Sequence, residues 1–118
     1  MKLQLSDQHW RVRISEDELT GLRDGQALIS TSSLPGDAAL CFAVKLVAAD
    51  HATVDDHEDR WNIALPASLV EAYVQRLPCR EGVTFSVPVS ADTVLEIVFE
   101  VDVRDSVRRR GVTARRRT

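Results

Sequence analysis

Trp10 to Leu22 reads W-R-V-R-I-S-E-D-E-L-T-G-L, and fifty-one positions later Trp61 to Tyr73 reads W-N-I-A-L-P-A-S-L-V-E-A-Y. The two stretches align without a gap. Trp10 falls on Trp61, Val12 on Ile63, Ile14 on Leu65, Leu19 on Val70 and Leu22 on Tyr73. In both, large apolar residues first recur at every second position and then at a spacing of three. That switch of period predicts a half-buried strand running straight into a short helix.

The signals around each copy support this reading. Trp10, Val12 and Ile14 share one face of the first strand, leaving His9, Arg11 and Arg13 on the other. Ser15 is a good N-cap, Glu18 completes a capping box, and Gly25 ends the helix. In the second copy Pro66 opens the helix, where its missing N–H costs nothing. Leu69, Val70, Tyr73 and Val74 form its apolar stripe, and Leu77-Pro78 stops it. Gly82 reads as the counterpart of Gly25, with six residues inserted.

Further out, strands are predicted over 26–32 and 39–47 in the first half, and over 83–89 and 94–103 in the second. Pro88 implies a sheet edge or a bulge. Leu40, Phe42, Val44 and Leu46 match Leu95, Ile97, Phe99 and Val101, while Glu96, Glu100 and Asp102 form an acidic outer face. A short alternating segment, Lys2 to Leu5, precedes the first copy. Ala52 to Val54 is its faint echo, inside a polar bridge over 48–59. Each half therefore reads strand, strand, helix, strand, strand. A half of some fifty residues cannot bury a one-sided sheet alone. The expected fold is mainly β with two short α-helices: a pseudo-two-fold ββαββ repeat, halves about 1–49 and 50–103, forming a small closed or nearly closed barrel.

The string V-R-I-S-x-x-x-L-x-x-L-x-x-G, followed by two strands, resembles the swapped-hairpin domain of AbrB and MazE-type proteins. Val12, Ile14, Ser15, Leu19, Leu22 and Gly25 carry the likeness in the first half; Ile63, Leu65, Pro66, Val70, Tyr73 and Gly82 carry it in the second. In that family two chains intertwine into one barrel that binds DNA through basic residues, so the resemblance implies two such copies fused in tandem. Met1 to Leu5 and Trp10 to Leu19 also resemble the opening of a family of small bacterial proteins, M-K-[IL]-x-[IL] then x-[RW]-x-R-[IL]-[ST]-x-x-E-[LV]. Leu65 to Leu69 and the acidic strand Leu95 to Asp102 extend that likeness over about residues 1–103. It implies a fold rather than an activity.

Composition narrows the function classes. The chain has 118 residues, 44% hydrophobic and 28% charged, which suits one domain. No apolar run approaches a membrane span, and the polar start M-K-L-Q-L-S-D-Q is no signal peptide, so a cytoplasmic location is expected. Residues 1–103 carry eight basic and seventeen acidic side chains, net −9; residues 104–118 carry seven arginines and one aspartate, net +6. R-D-S-V-R-R-R-G-V-T-A-R-R-R-T is too poor in apolar residues for a core and is expected to be a disordered basic tail.

No G-x-S-x-G, H-E-x-x-H, P-loop or G-x-G-x-x-G occurs, so no catalytic site and no cofactor is expected. Cys79 with His51 or His57 has no spacing that favours a thiol–imidazole pair, and Cys41 and Cys79 form no metal motif. His51, Asp55, Asp56, His57, Glu58 and Asp59 are dense in ligand types but match no metal site, so none is expected. They read as a solvated acidic linker. Trp10 and Trp61 are expected to plug the two ends of the core.

Two binding readings remain. A protein partner, favoured, would meet the acidic face or add a strand to the edge at 83–89. The alternative is a DNA-associated regulator of AbrB or MazE type, with nucleic-acid contacts from Arg11, Arg13, Arg60 and, in the tail, Arg108, Arg109 and Arg110. The net charge of the body opposes that alternative. A monomer or a weak homodimer is expected.

Overall fold

The computed structural model describes residues 1–103. Its elements are β1 (Lys2–Ser6), β2 (His9–Ser15), α1 (Glu16–Arg23), β3 (Leu28–Leu34), β4 (Ala38–Val47), β5 (Thr53–His57), β6 (Arg60–Pro66), α2 (Ala67–Val74), β7 (Val83–Ser90) and β8 (Thr93–Asp102). The fold is mainly β, with two helices and two sheets. The expected tail over 104–118 lies outside the described residues.

The strand orders are β1-β2-β8-β7 (sheet I) and β3-β4-β6-β5 (sheet II). Each sheet takes one hairpin from each half of the chain. Helix α1 carries the chain from β2 in sheet I to β3 in sheet II, and α2 returns it from β6 to β7. The centre of each sheet is a parallel pair, β2 with β8 and β4 with β6, flanked by antiparallel hairpins.

The registers of the two sheets correspond. Trp10 lies opposite Ile97, Val12 opposite Phe99 and Ile14 opposite Val101. In sheet II, Trp61 lies opposite Phe42, Ile63 opposite Val44 and Leu65 opposite Leu46. These are the partners that the sequence matches Phe42 on Ile97, Val44 on Phe99 and Leu46 on Val101 require. The reason is steric: a slip of one residue would turn the whole apolar set to solvent.

The described strands do not close into a single barrel. Their ladders end at β1 and β7 in sheet I and at β5 and β3 in sheet II. The apolar faces pack on each other instead, and Trp10 of sheet I meets the Phe42 ring of sheet II edge to face at 5.9 Å. Val12, Val44, Ile63, Leu65, Ile97 and Phe99 are fully enclosed. Each contributes on the order of 1.5–3 kcal/mol by leaving water. Leu19 and Leu22 of α1 and Val70 and Tyr73 of α2 join the same core.

The helices differ in how they are held. The α1 N-terminus has its capping box: Glu18 N–H donates to Ser15 Oγ at 3.1 Å, and Ser15 N–H to Glu18 Oε1 at 2.9 Å. Gly25, at φ +92°, follows its C-terminus. Pro66 is the N-cap of α2 and supplies no side-chain bond. That helix relies on packing, including a hydrogen bond from Val101 N–H to Tyr73 Oη at 3.0 Å.

Three readings of the sequence change. Gly82 is not the equivalent of Gly25. It sits where a Cβ would lie 2.5 Å from the Phe99 carbonyl oxygen, so close approach of two backbones demands it rather than a left-handed turn. The segment over 26–32 is shifted to Leu28–Leu34, its N-terminal residues serving the helix end. The polar bridge holds a full strand, β5, whose register on β6 repeats that of β1 on β2. Its only large apolar residue is Val54, because Asp55, Asp56 and His57 stay in solvent at a sheet edge.

Candidate interaction surface

The outer face of sheet I is a ladder of opposite charges. The parallel pairing sets His9 beside Glu96 and Arg13 beside Glu100. His9 Nδ1 is 3.2 Å from Glu96 Oε2, Arg11 Nη1 is 4.0 Å from Glu100 Oε1, and Arg13 reaches Glu100 and Asp102 at 3.8 Å each. Exposed pairs of this kind contribute roughly 0.2–1 kcal/mol apiece. Their effect on recognition is larger, because the basic face of β2 and the acidic face of β8 screen one another. Neither offers the field of one sign that the sequence assigned to it.

The arginines proposed for nucleic acid are not gathered on one surface. Arg11 and Arg13 lie on sheet I. Arg60 begins β6 in sheet II and pairs with Glu58 at 3.3 Å. Arg108, Arg109 and Arg110 lie outside the described residues.

His51 pairs with its neighbour Asp50 at 2.8 Å, and that hydrogen bond, with the adjacent charge, holds the Asp50 carboxyl below its usual range. His57 lies 3.6 Å from Glu58. No three His, Cys, Asp or Glu side chains among the described residues converge as a metal site would require. Cys41 and Cys79 are free thiols. Cys79 donates to the Glu81 carbonyl at 3.2 Å and lines a cleft of about 360 Å³ whose charged walls are Arg13, Arg80, Glu100 and Asp102. No histidine lines that cleft, so it offers the thiol no imidazole base.

The tryptophans stand at equivalent places with different neighbours. Leu5 of β1 is opposite Trp10, whereas Asp56 of β5 is opposite Trp61. Trp10 is half-buried against Phe42. Trp61 is 39% exposed and Leu40, near it, is 40% exposed. Together with Asp37, Asp56, Asp59 and Arg60 they line an open cleft of about 480 Å³. Asp37 and Asp59 sit in turns at φ +58° and +59°, a backbone region that aspartate tolerates better than most residues. Trp61 and Leu40 thus share one open cleft with three carboxylates and one arginine. The sequence did carry a signal for it: the residue five places before each tryptophan is leucine in one half and aspartate in the other.

Comparison with known proteins gives no matching family model, no matching curated protein and no matching solved structure. No helix among the described residues is long and apolar enough to cross a membrane.

Proposed function

We propose that this chain is a non-enzymatic interaction protein that receives a basic segment of a partner protein in the cleft around Trp61. The observation that carries the reading is a large aromatic left open, beside an exposed leucine, inside a rim of carboxylates. Aromatic side chains in partly enclosed pockets are common anchors of protein recognition. Arginine or lysine stacks on an indole face, and the flanking Asp37, Asp56 and Asp59 attract such a partner before contact. This relocates the acidic contact surface from β8, where arginines screen it, to the end of sheet II.

The finer architectural reading belongs to the same proposal. Corresponding registers and mirrored strand orders support a pseudo-two-fold ββαββ repeat with a barrel-like enclosed core, similar in plan to the AbrB and MazE swapped hairpin. A DNA-associated reading draws no support from Arg11 and Arg13, which face Glu100 and Asp102. It would rest on the arginines from 104 onward.

The test is a salt titration of the full chain against a synthetic arginine- and leucine-containing peptide and, separately, against duplex DNA. The reading expects the peptide to quench Trp61 emission, and anisotropy of a dye-labelled peptide to show binding lost in Trp61→Ala and weakened about tenfold in Asp56→Asn with Asp59→Asn. Strong DNA binding together with no response to the peptide would replace it with the DNA-associated reading.

A further inference from the structure

Sheet edges expose unpaired backbone N–H and C=O groups, and proteins normally guard them with charge, proline, a bulge or shortness. Of the four sheet edges among the described residues, three are guarded. Strand β1 is five residues long and carries Lys2. Strand β5 is also five residues long and carries Asp55, Asp56 and His57. Strand β7 contains Pro88 and breaks register between Pro88 and Ser90. The expected strand-accepting edge at 83–89 is thus interrupted near its end.

Strand β3 has none of these protections. It reads L-I-S-T-S-S-L, seven residues without charge or proline, and its register on β4 is unbroken from Leu28 to Leu34. Ile29 is 57% exposed and Leu34 is 44% exposed. On the equivalent edge of sheet I, Ile29 corresponds to Thr84 and Thr31 to Ser86. An uncharged strand also meets no like-charge repulsion when it pairs with its own copy. Pairing two copies antiparallel about Thr31 sets Leu28 against Leu34, Ile29 against Ser33 and Ser30 against Ser32. Every residue then meets one on the same face, and no like charges oppose each other.

We propose that β3 pairs with β3 of a second copy of this chain, joining two four-stranded sheets into one of eight. The interface is isologous, as a two-fold dimer requires. Both β3 edges become interior, and Ile29 gains cover from Ser33 and Thr31 of the other copy. No residue of β3 lines the cleft around Trp61, although Ala38 to Cys41 of the neighbouring β4 do, so self-association and peptide binding are measured separately.

Sedimentation of the full chain over a concentration series reads the assembly state. The expected result is a reversible dimer whose dissociation constant rises about tenfold or more in Thr31→Lys, which sets two like charges face to face across the axis. A cysteine trap gives an independent reading. Antiparallel partners have Cα atoms about 4.5–5.5 Å apart, within disulfide range, so Thr31→Cys in a Cys41→Ala background, which removes the thiol 3.3 Å from Thr31 Oγ1, should run as a covalent dimer when oxidised. The matched control Ser86→Cys, on the guarded edge, should not. Three results would overturn the proposal: a monomer at every concentration, a dimer indifferent to Thr31→Lys, or cross-linking that favours Ser86→Cys. An outcome in which the chain stays monomeric but captures an extended peptide along β3 would assign the edge to a different partner.

Discussion

Sheet I and sheet II share a strand order and a register, yet one half-buries its tryptophan against Phe42 while the other leaves its tryptophan 39% exposed. Trp10 has Leu5 beside it on the edge strand; Trp61 has Asp56. The outer faces diverge as well. Sheet I presents a row of ion pairs, whereas the β3 side of sheet II presents the uncharged Ile29 and Thr31 beside the half-buried Cys41. The comparison separates two kinds of constraint. Inward positions of the central strands are fixed by packing in both sheets, so both keep large apolar residues there. Edge and outward positions are free of that constraint, and there the halves carry different surfaces.

The largest test of this contrast is truncation of the two tryptophans. Trp10→Ala removes a ring packed on Phe42 and should cost about 3 kcal/mol in urea denaturation, whereas Trp61→Ala, at a side chain 39% exposed, should cost clearly less. Equal losses would mean that Trp61 is enclosed in solution. The reciprocal exchange sharpens the point. Asp56→Leu should shift Trp61 emission to shorter wavelength, and Leu5→Asp should shift Trp10 emission to longer wavelength.

Tyr73 and Leu22 occupy matching places on the two helices, and only Tyr73 supplies a hydroxyl. Tyr73→Phe leaves the Val101 N–H without its acceptor and should cost about 1–3 kcal/mol. Burial raises the Tyr73 hydroxyl above the ordinary tyrosine value, against a smaller lowering by its bond to Val101. Its contribution is therefore complete below about pH 10 and is lost as pH climbs through the raised value. Alkaline unfolding of Tyr73→Phe compared with the parent chain measures that loss.

A smaller effect separates the helix caps. Ser15→Ala should destabilise by about 1 kcal/mol, while Pro66→Ala removes no side-chain bond. Burial pushes the Glu18 carboxyl up, but its bonds to the Met1 ammonium at 2.5 Å and to Ser15 outweigh it and hold the carboxyl below its usual range. Stability from Glu18 is thus present above the ordinary carboxylate value of about 4.3 and falls away as pH drops through the lowered one. Acid titration of Ser15→Ala should show a shallower decline. Least of all, Glu100→Gln should cost under about 1 kcal/mol, and added salt should erase the difference.

The central strands, the helices and the apolar faces were legible in the sequence, because burial on one face imposes a period that composition cannot hide. Val12, Ile14, Phe99 and Val101 announce their strands and their inward faces, but not which strand lies beside which. Strand β5 was nearly invisible, since Asp55, Asp56 and His57 answer to solvent rather than to a core. The role of Gly82 was misassigned because a glycine needed for close approach and one needed for a left-handed turn are the same letter. The charge ladder was missed for a related reason. Arg11, Arg13, Glu100 and Asp102 were each assigned correctly to an outward face, but only the parallel pairing of β2 with β8 shows that they face each other. The cleft at Trp61 required the contrast between Leu5 and Asp56, which is silent until β5 is known to be a strand.

Both sheets are shared between the halves of the chain. Interstrand proton NOEs in the full chain test this directly. The expected cross-peaks link Val12 of β2 with Phe99 of β8 and, in the other sheet, Val44 of β4 with Ile63 of β6, both in parallel patterns. Cross-peaks placing β2 beside β4 and β6 beside β8, with each half keeping its own sheet, would contradict it.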